Sequence, residues 1–192
     1  MGNLIAVDAL SNSASNNSPN DLCCDYPTHT DADAIYAASI ERRSNKKEEE
    51  TADSFYLSQV DPAVQASGLD EWIDEARSAD PDSDTALGVM IKVHKLTVDL
   101  FNPISGKDNR SLASNCLHFH VPGLFYILDS RAEKAMGALI GSLGKAGRPT
   151  TSGDPKYCGF VAKCGLLKSR CETEFGIRLS PRKLDNLLLA AL

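Results

Sequence analysis

Apolar side chains recur every three to four residues along several stretches of this chain, and turn-forming residues separate those stretches. Leu69, Trp72, Ile73 and Ala76 share one helical face while Asp70, Glu71, Asp74 and Glu75 share the opposite one, which predicts a short amphipathic helix. The segment 79–84 (ADPDSD) breaks it and offers Asp84 as the N-cap of the next apolar segment. Residues 86–101 are heavily apolar and read as a buried helix, although the alternation of Leu96, Val98 and Leu100 also fits a strand. Asn102-Pro103 and Ser105-Gly106 predict a turn. A helix over 110–119 is then stopped by Val121-Pro122-Gly123, and Leu124 to Leu128 makes a short apolar crossing. Asp129 stands at the N-cap position of the next helix, SRAEKAMGALIGSL.

Residues 141–155, rich in Gly, Pro and Thr, predict a loop, and 156–175 a further helix broken at Gly176. Ser180-Pro181 is a cap followed by proline at the first helical position, opening a last helix with Leu184, Leu187, Leu188, Ala191 and Leu192 on its apolar face. Near the N-terminus the pattern is absent. Residues 10–33 are dominated by Ser, Asn, Asp and Pro, a composition that does not repay the entropy of ordering, and 34–50 read as a marginal helix ending in the solvating run KKEEE. The expected architecture is therefore all-α: a disordered acidic and polar leader over 1–33, then one compact multi-helix domain over 34–192.

Charge divides that domain. Residues 1–100 hold 7 basic and 19 acidic side chains, whereas residues 101–192 hold 13 basic and 7 acidic ones, so acidic helices over 34–100 precede a basic helical half over 101–192. The net charge of −6 argues against a uniformly basic nucleic-acid binder. The split still permits a polyanion on the basic half and a protein partner on the acidic N-terminal half; mutual neutralisation of the two halves is the plainer alternative. No apolar run approaches the roughly 18 residues of a membrane span, so no membrane partner is expected. MGNLIAVDAL has no basic n-region and is interrupted by Asp8, and Ala6 stands where a myristoylation motif needs Ser or Thr, so a cytoplasmic location with reduced thiols is expected.

Most candidate chemistry fails on spacing. GSLGKAG (141–147) has Leu139 where a phosphate-binding loop needs its first Gly, and Ala146 where it needs Ser or Thr. Cys158, Cys164 and Cys171 lie on one helical face but about two turns apart, and Cys116, His118 and His120 lack paired metal-ligand spacing; buried thiols and partly exposed histidines are expected, with no metal and no cofactor. A hydrolase using His118 or His120 remains an alternative that no spacing selects.

Residues 110–139 carry more. Arg110-Ser111-Leu112-Ala113 is followed, 18 residues after Ser111, by Asp129 in Ile127-Leu128-Asp129, with Leu117 and Leu124 apolar between them. This segment resembles the central signature of the helix-hairpin-helix DNA glycosylases, closest to the monofunctional adenine-excising branch. That resemblance implies a helix-hairpin-helix fold with Asp129 as the catalytic carboxylate. Ser111 stands where lyase-active branches carry a lysine, which implies hydrolysis without backbone cleavage. DNA is the implied partner, a flipped modified or mispaired base the implied substrate. Asp129 would stabilise positive charge on the sugar and orient water.

Lys107, Arg110, Arg131, Lys134, Lys145 and Arg148 are candidates for phosphate contacts. Asn115, His118, His120 and Tyr126 are candidates for a polar pocket. In the bland alternative Asp129 is a helix cap and the chain a non-catalytic DNA- or protein-binding module. The family's hairpin reads Leu-Pro-Gly-x-Gly; here Ser105-Gly106-Lys107-Asp108-Asn109 occupies it, with one Gly and an acid.

Overall fold

The computed structural model describes residues 56–143 and 153–191. The expected leader, the helix over 34–50, Lys145 and Arg148 lie outside them. Among the described residues every regular element is helical, and no strand forms. A π-helical turn, Tyr56–Val60, runs into α1 (Asp61–Gln65); α2 (Leu69–Ser78), α3 (Ala86–Ser105), α4 (Arg110–His120), α5 (Ser130–Ile140), α6 (Pro155–Phe175) and α7 (Pro181–Ala190) follow.

The amphipathic reading of α2 holds: Leu69, Ile73 and Ala76 are buried, Trp72 packs half-buried beside them, and the four acids face solvent. Residues 86–101 are helical, because a strand would have turned half of its apolar side chains to water. In the helix Ala86, Met90, Val93, His94, Thr97, Val98 and Phe101 share one buried stripe.

Three boundaries differ from expectation. Asp84 caps nothing; Thr85 is the N-cap and makes no side-chain cap bond. At the other end α3 runs through Pro103 to Ser105, since a proline in the last turn deletes a single amide donor, and the helix ends at Gly106, whose φ of 65° suits a residue without Cβ. The expected loop over 141–155 also ends earlier than it reads. Asp154 caps α6 by accepting from the amides of Lys156 and Tyr157 at 3.0 and 2.9 Å, ahead of Pro155 at its first turn.

α3 packs against α2 and α4, and α5 against α6 and α7. The main core gathers Leu117, Phe125, Met136, Tyr157, Phe160, Leu167, Leu184 and Leu188; a smaller one holds Val98, Phe101, Leu112, Ala113 and Cys116, and the half-buried Val64 and Leu100 touch both. The crossing Leu124–Leu128 is buried through the middle of this assembly with no neighbouring strand. Buried backbone polar groups need partners, and side chains supply them. His118 Nδ1 meets the Phe125 carbonyl at 2.8 Å, Tyr157 donates to the Tyr126 carbonyl at 3.2 Å, and the Leu128 amide donates to Ser114 Oγ at 2.9 Å. α4 and α6 thus substitute for the missing sheet and deliver the chain to Asp129.

Candidate functional site

Asp129 leaves the crossing in an extended conformation and opens α5, its Oδ1 accepting from the Ala132 amide at 2.7 Å. The N-cap expected from sequence is therefore present. The carboxylate is half-buried, and Oδ2 has no hydrogen-bond partner among the described residues. A second carboxylate lies close enough to influence its surroundings. Asp185, on the buried side of α7, is held above the ordinary carboxylate range by burial, an effect that Arg182 opposes and the charge of Asp129 reinforces. Arg182 Nη1 approaches Asp185 Oδ2 at 3.4 Å. The same arginine adds to the effect of burial in depressing His118, against the pull of its bond to Phe125. His118 is fully buried, and its Nε2 has no hydrogen-bond partner among the described residues. The partly exposed state expected of it is corrected, because the ring turns inward to serve the crossing backbone.

The remaining pocket candidates scatter. Asn115 and His120 are half-buried, and Asn115 Nδ2 donates to the Ser111 carbonyl at 2.9 Å. That carbonyl also accepts from Ser114 Oγ at 2.9 Å, while Ser111 itself stays half-buried on the first turn of α4. Tyr126 is buried with its hydroxyl pushed up by desolvation, a core side chain.

Among the candidate phosphate contacts, Lys107, Arg131 and Lys134 are exposed. Arg110 is committed elsewhere. Its Nε donates to Asp154 Oδ2 at 2.6 Å, joining the first turn of α4 to the head of α6, and its Nη1 pairs with Asp108; the Tyr157 amide and then Arg110 lower Asp154 against the effect of burial.

The turn between α3 and α4 is also closed on itself. The amides of Gly106, Lys107, Asn109 and Arg110 donate to the Asn102 carbonyl, Ser105 Oγ, Asn102 Oδ1 and Asp108 Oδ1. The buried Asn109 side chain donates to the Phe101 and Lys107 carbonyls. A loop that grips phosphate through backbone N–H groups must leave them free, and these four are occupied.

Cavities open on the surface of the described residues. One of about 570 Å³ lies between α5 and α6, and another of about 350 Å³ lies where the C-terminal half of α6 meets the head of α7, flanked by Lys168, Arg178 and Lys183 together with Asp82 and Glu172. Neither is lined by Asp129 or Ser111. The four described cysteines, Cys116, Cys158, Cys164 and Cys171, are buried, and burial raises the Cys164 and Cys171 thiols away from nucleophilic character. No group of metal-ligating side chains converges among the described residues. No described helix is long and apolar enough to cross a membrane.

Sequence reasoning missed Asp185, Ser114 and His94. The signal for Asp185 was an acid beside Leu184 and Leu188 on the buried stripe of α7. His94 lies flat on Tyr157, ring centroids 3.6 Å apart, at a position inside an apolar run that offers nothing but its polarity. No protein-family profile, no curated protein and no solved structure matches this chain.

Proposed function

We propose that this chain is a DNA glycosylase-like protein that hydrolyses the N-glycosidic bond of a flipped modified or mispaired base with Asp129, without lyase activity. The observation that carries the reading is the half-buried Asp129 carboxylate at the head of α5, with Oδ1 spent on the cap and Oδ2 uncommitted among the described residues. The buried Asp185 of α7 feels its charge. Asp129 Oδ2 is available to stabilise charge growing on the deoxyribose and to orient water. Ser111 offers no amine for a Schiff base, so water is the nucleophile and an abasic site the product. The nucleoside must reach Asp129 over the exposed first turn of α5, where Arg131 and Lys134 are free to meet flanking phosphates. Lys168 and Lys183 stand in the second cavity beside Arg178, which is paired with Glu172 at 2.8 Å.

The test incubates the full chain with single- and double-stranded oligonucleotides carrying damaged or mispaired bases and then treats them with hot alkali. Strand breaks that disappear in Asp129→Asn support the reading, since asparagine keeps the cap acceptor and removes the charge.

A second reading, a non-catalytic helical binding module, is favoured by the cap bond on Asp129 and by the four hairpin amides already in use. It expects no breaks on any substrate.

A further inference from the structure

The larger cavity is a built concavity with an uneven charge. Its apolar floor comes from Met136 of α5, Phe160 of α6 and Leu143 just beyond α5. Its rim carries three charges. Lys156 and Glu133 cancel through an ion pair of 2.9 Å across the two helices. Lys163, one helical turn beyond Gly159, is half-buried and has no anionic partner among the described residues. A lysine drawn partly out of water beside an apolar floor, with no counter-charge, loses hydration that an anion would restore.

The space in front of it is kept open by Gly159. A glycine in mid-helix is unfavourable on propensity alone. Here it lines the cavity, and a Cβ built on it meets nothing within 4 Å. The volume lies within the roughly 300–1,000 Å³ range of small-molecule sites.

We propose that the cavity between α5 and α6 binds a small molecule with a flat apolar body and a single anionic head, such as an aryl phosphate or carboxylate. The body lies against Phe160 and Met136 in the space Gly159 leaves, and the head pairs with Lys163. The site is separate from Asp129, which does not line it, and stands or falls independently of the glycosylase reading.

Anilinonaphthalene sulfonate, titrated by fluorescence into the full chain, probes it, with the sulfonate-free phenylnaphthylamine as the uncharged counterpart. One saturable site for the sulfonate is expected, with phenyl phosphate displacing it and phenol failing to. Lys163→Gln should weaken the sulfonate about tenfold, the loss of one charge-assisted contact. Gly159→Leu should abolish binding while leaving the thermal midpoint no lower, because leucine is the better helix former and a Cβ at this position meets no atom within 4 Å. Unchanged affinity in Lys163→Gln, equal binding of phenylnaphthylamine, or full binding by a folded Gly159→Leu would each overturn the proposal. Base release by Asp129 is read in a separate assay, so failure of one leaves the other intact.

Discussion

Ser114 Oγ accepts the Leu128 amide at 2.9 Å from a fully buried position, one residue before Asp129. The hydroxyl of an interior helix thereby takes the place of a strand partner and sets where the carboxylate emerges. Ser114→Ala removes the acceptor and leaves a buried N–H unpaired, which should cost about 1–3 kcal/mol. Urea unfolding would measure it, and hydrogen exchange should show the Leu128 amide losing protection. An amide that exchanges as slowly as before would refute the role given to Ser114.

Asp129 carries two separable duties. Asp129→Ala deletes the bond to the Ala132 amide and should lower stability by about 1 kcal/mol, whereas Asp129→Asn retains a capping oxygen and should cost a few tenths at most. Under the glycosylase reading both variants lose base release alike. The stability difference without an activity difference separates the cap from the chemistry.

His94 links stability to pH. Burial lowers its pKa from 6.5 to about 4, against its bond with the Arg110 carbonyl. Below pH 6.5 the unfolded chain takes up a proton that the folded chain refuses until about pH 4, so the contribution is full above 6.5 and declines as pH falls through that window. At 1.36 kcal/mol per unit the whole effect is of order 3 kcal/mol. His94→Phe keeps a ring on Tyr157 and should reduce the decline between pH 6.5 and 4, the buried His118 supplying a remainder, as followed by urea midpoints.

Arg110 and the exposed Arg131 and Lys134 should behave oppositely. Arg110→Ala strands the buried Asp154 carboxylate and should destabilise by about 1 kcal/mol, a figure discounted because the guanidinium is about one-third exposed. Arg131→Ala and Lys134→Ala should leave stability within about 0.5 kcal/mol. Each should weaken DNA binding in a mobility-shift titration and reduce its salt dependence. DNA affinity insensitive to both would remove the phosphate role given to the head of α5.

Much of the helical order was legible along the chain. α2, α4 and α7 follow from apolar residues at helical spacing, and Asp129 and Ser180 are caps because a short oxygen-bearing side chain before a helix has few better uses. The alternation at Leu96, Val98 and Leu100 was ambiguous because one apolar run satisfies two periods, and burial against α2 and α4 decides it. Asp84 failed as a cap since the residues before α3 are wound into turns, the Ser83 amide donating to Asp80 and the Ala86 amide to Ser83, which puts Thr85 at the helix boundary.

Local pattern could assign Asp129 to a helix head, but it carries no information about which distant residues meet there. The sequence by itself determined α2, α4, α5 and α7, the caps Asp129 and Ser180 and the charge split, but not the turn and short helix over 56–65 or the cap Asp154. Only the tertiary structure decided that Asp185 feels the charge of Asp129 across 56 residues of sequence, that Arg110 is spent on Asp154, that His118 turns inward to a carbonyl, and that a cavity opens at Gly159. Those facts arise from how helices pack, and packing is set by the sum of many weak contacts between residues far apart in the chain.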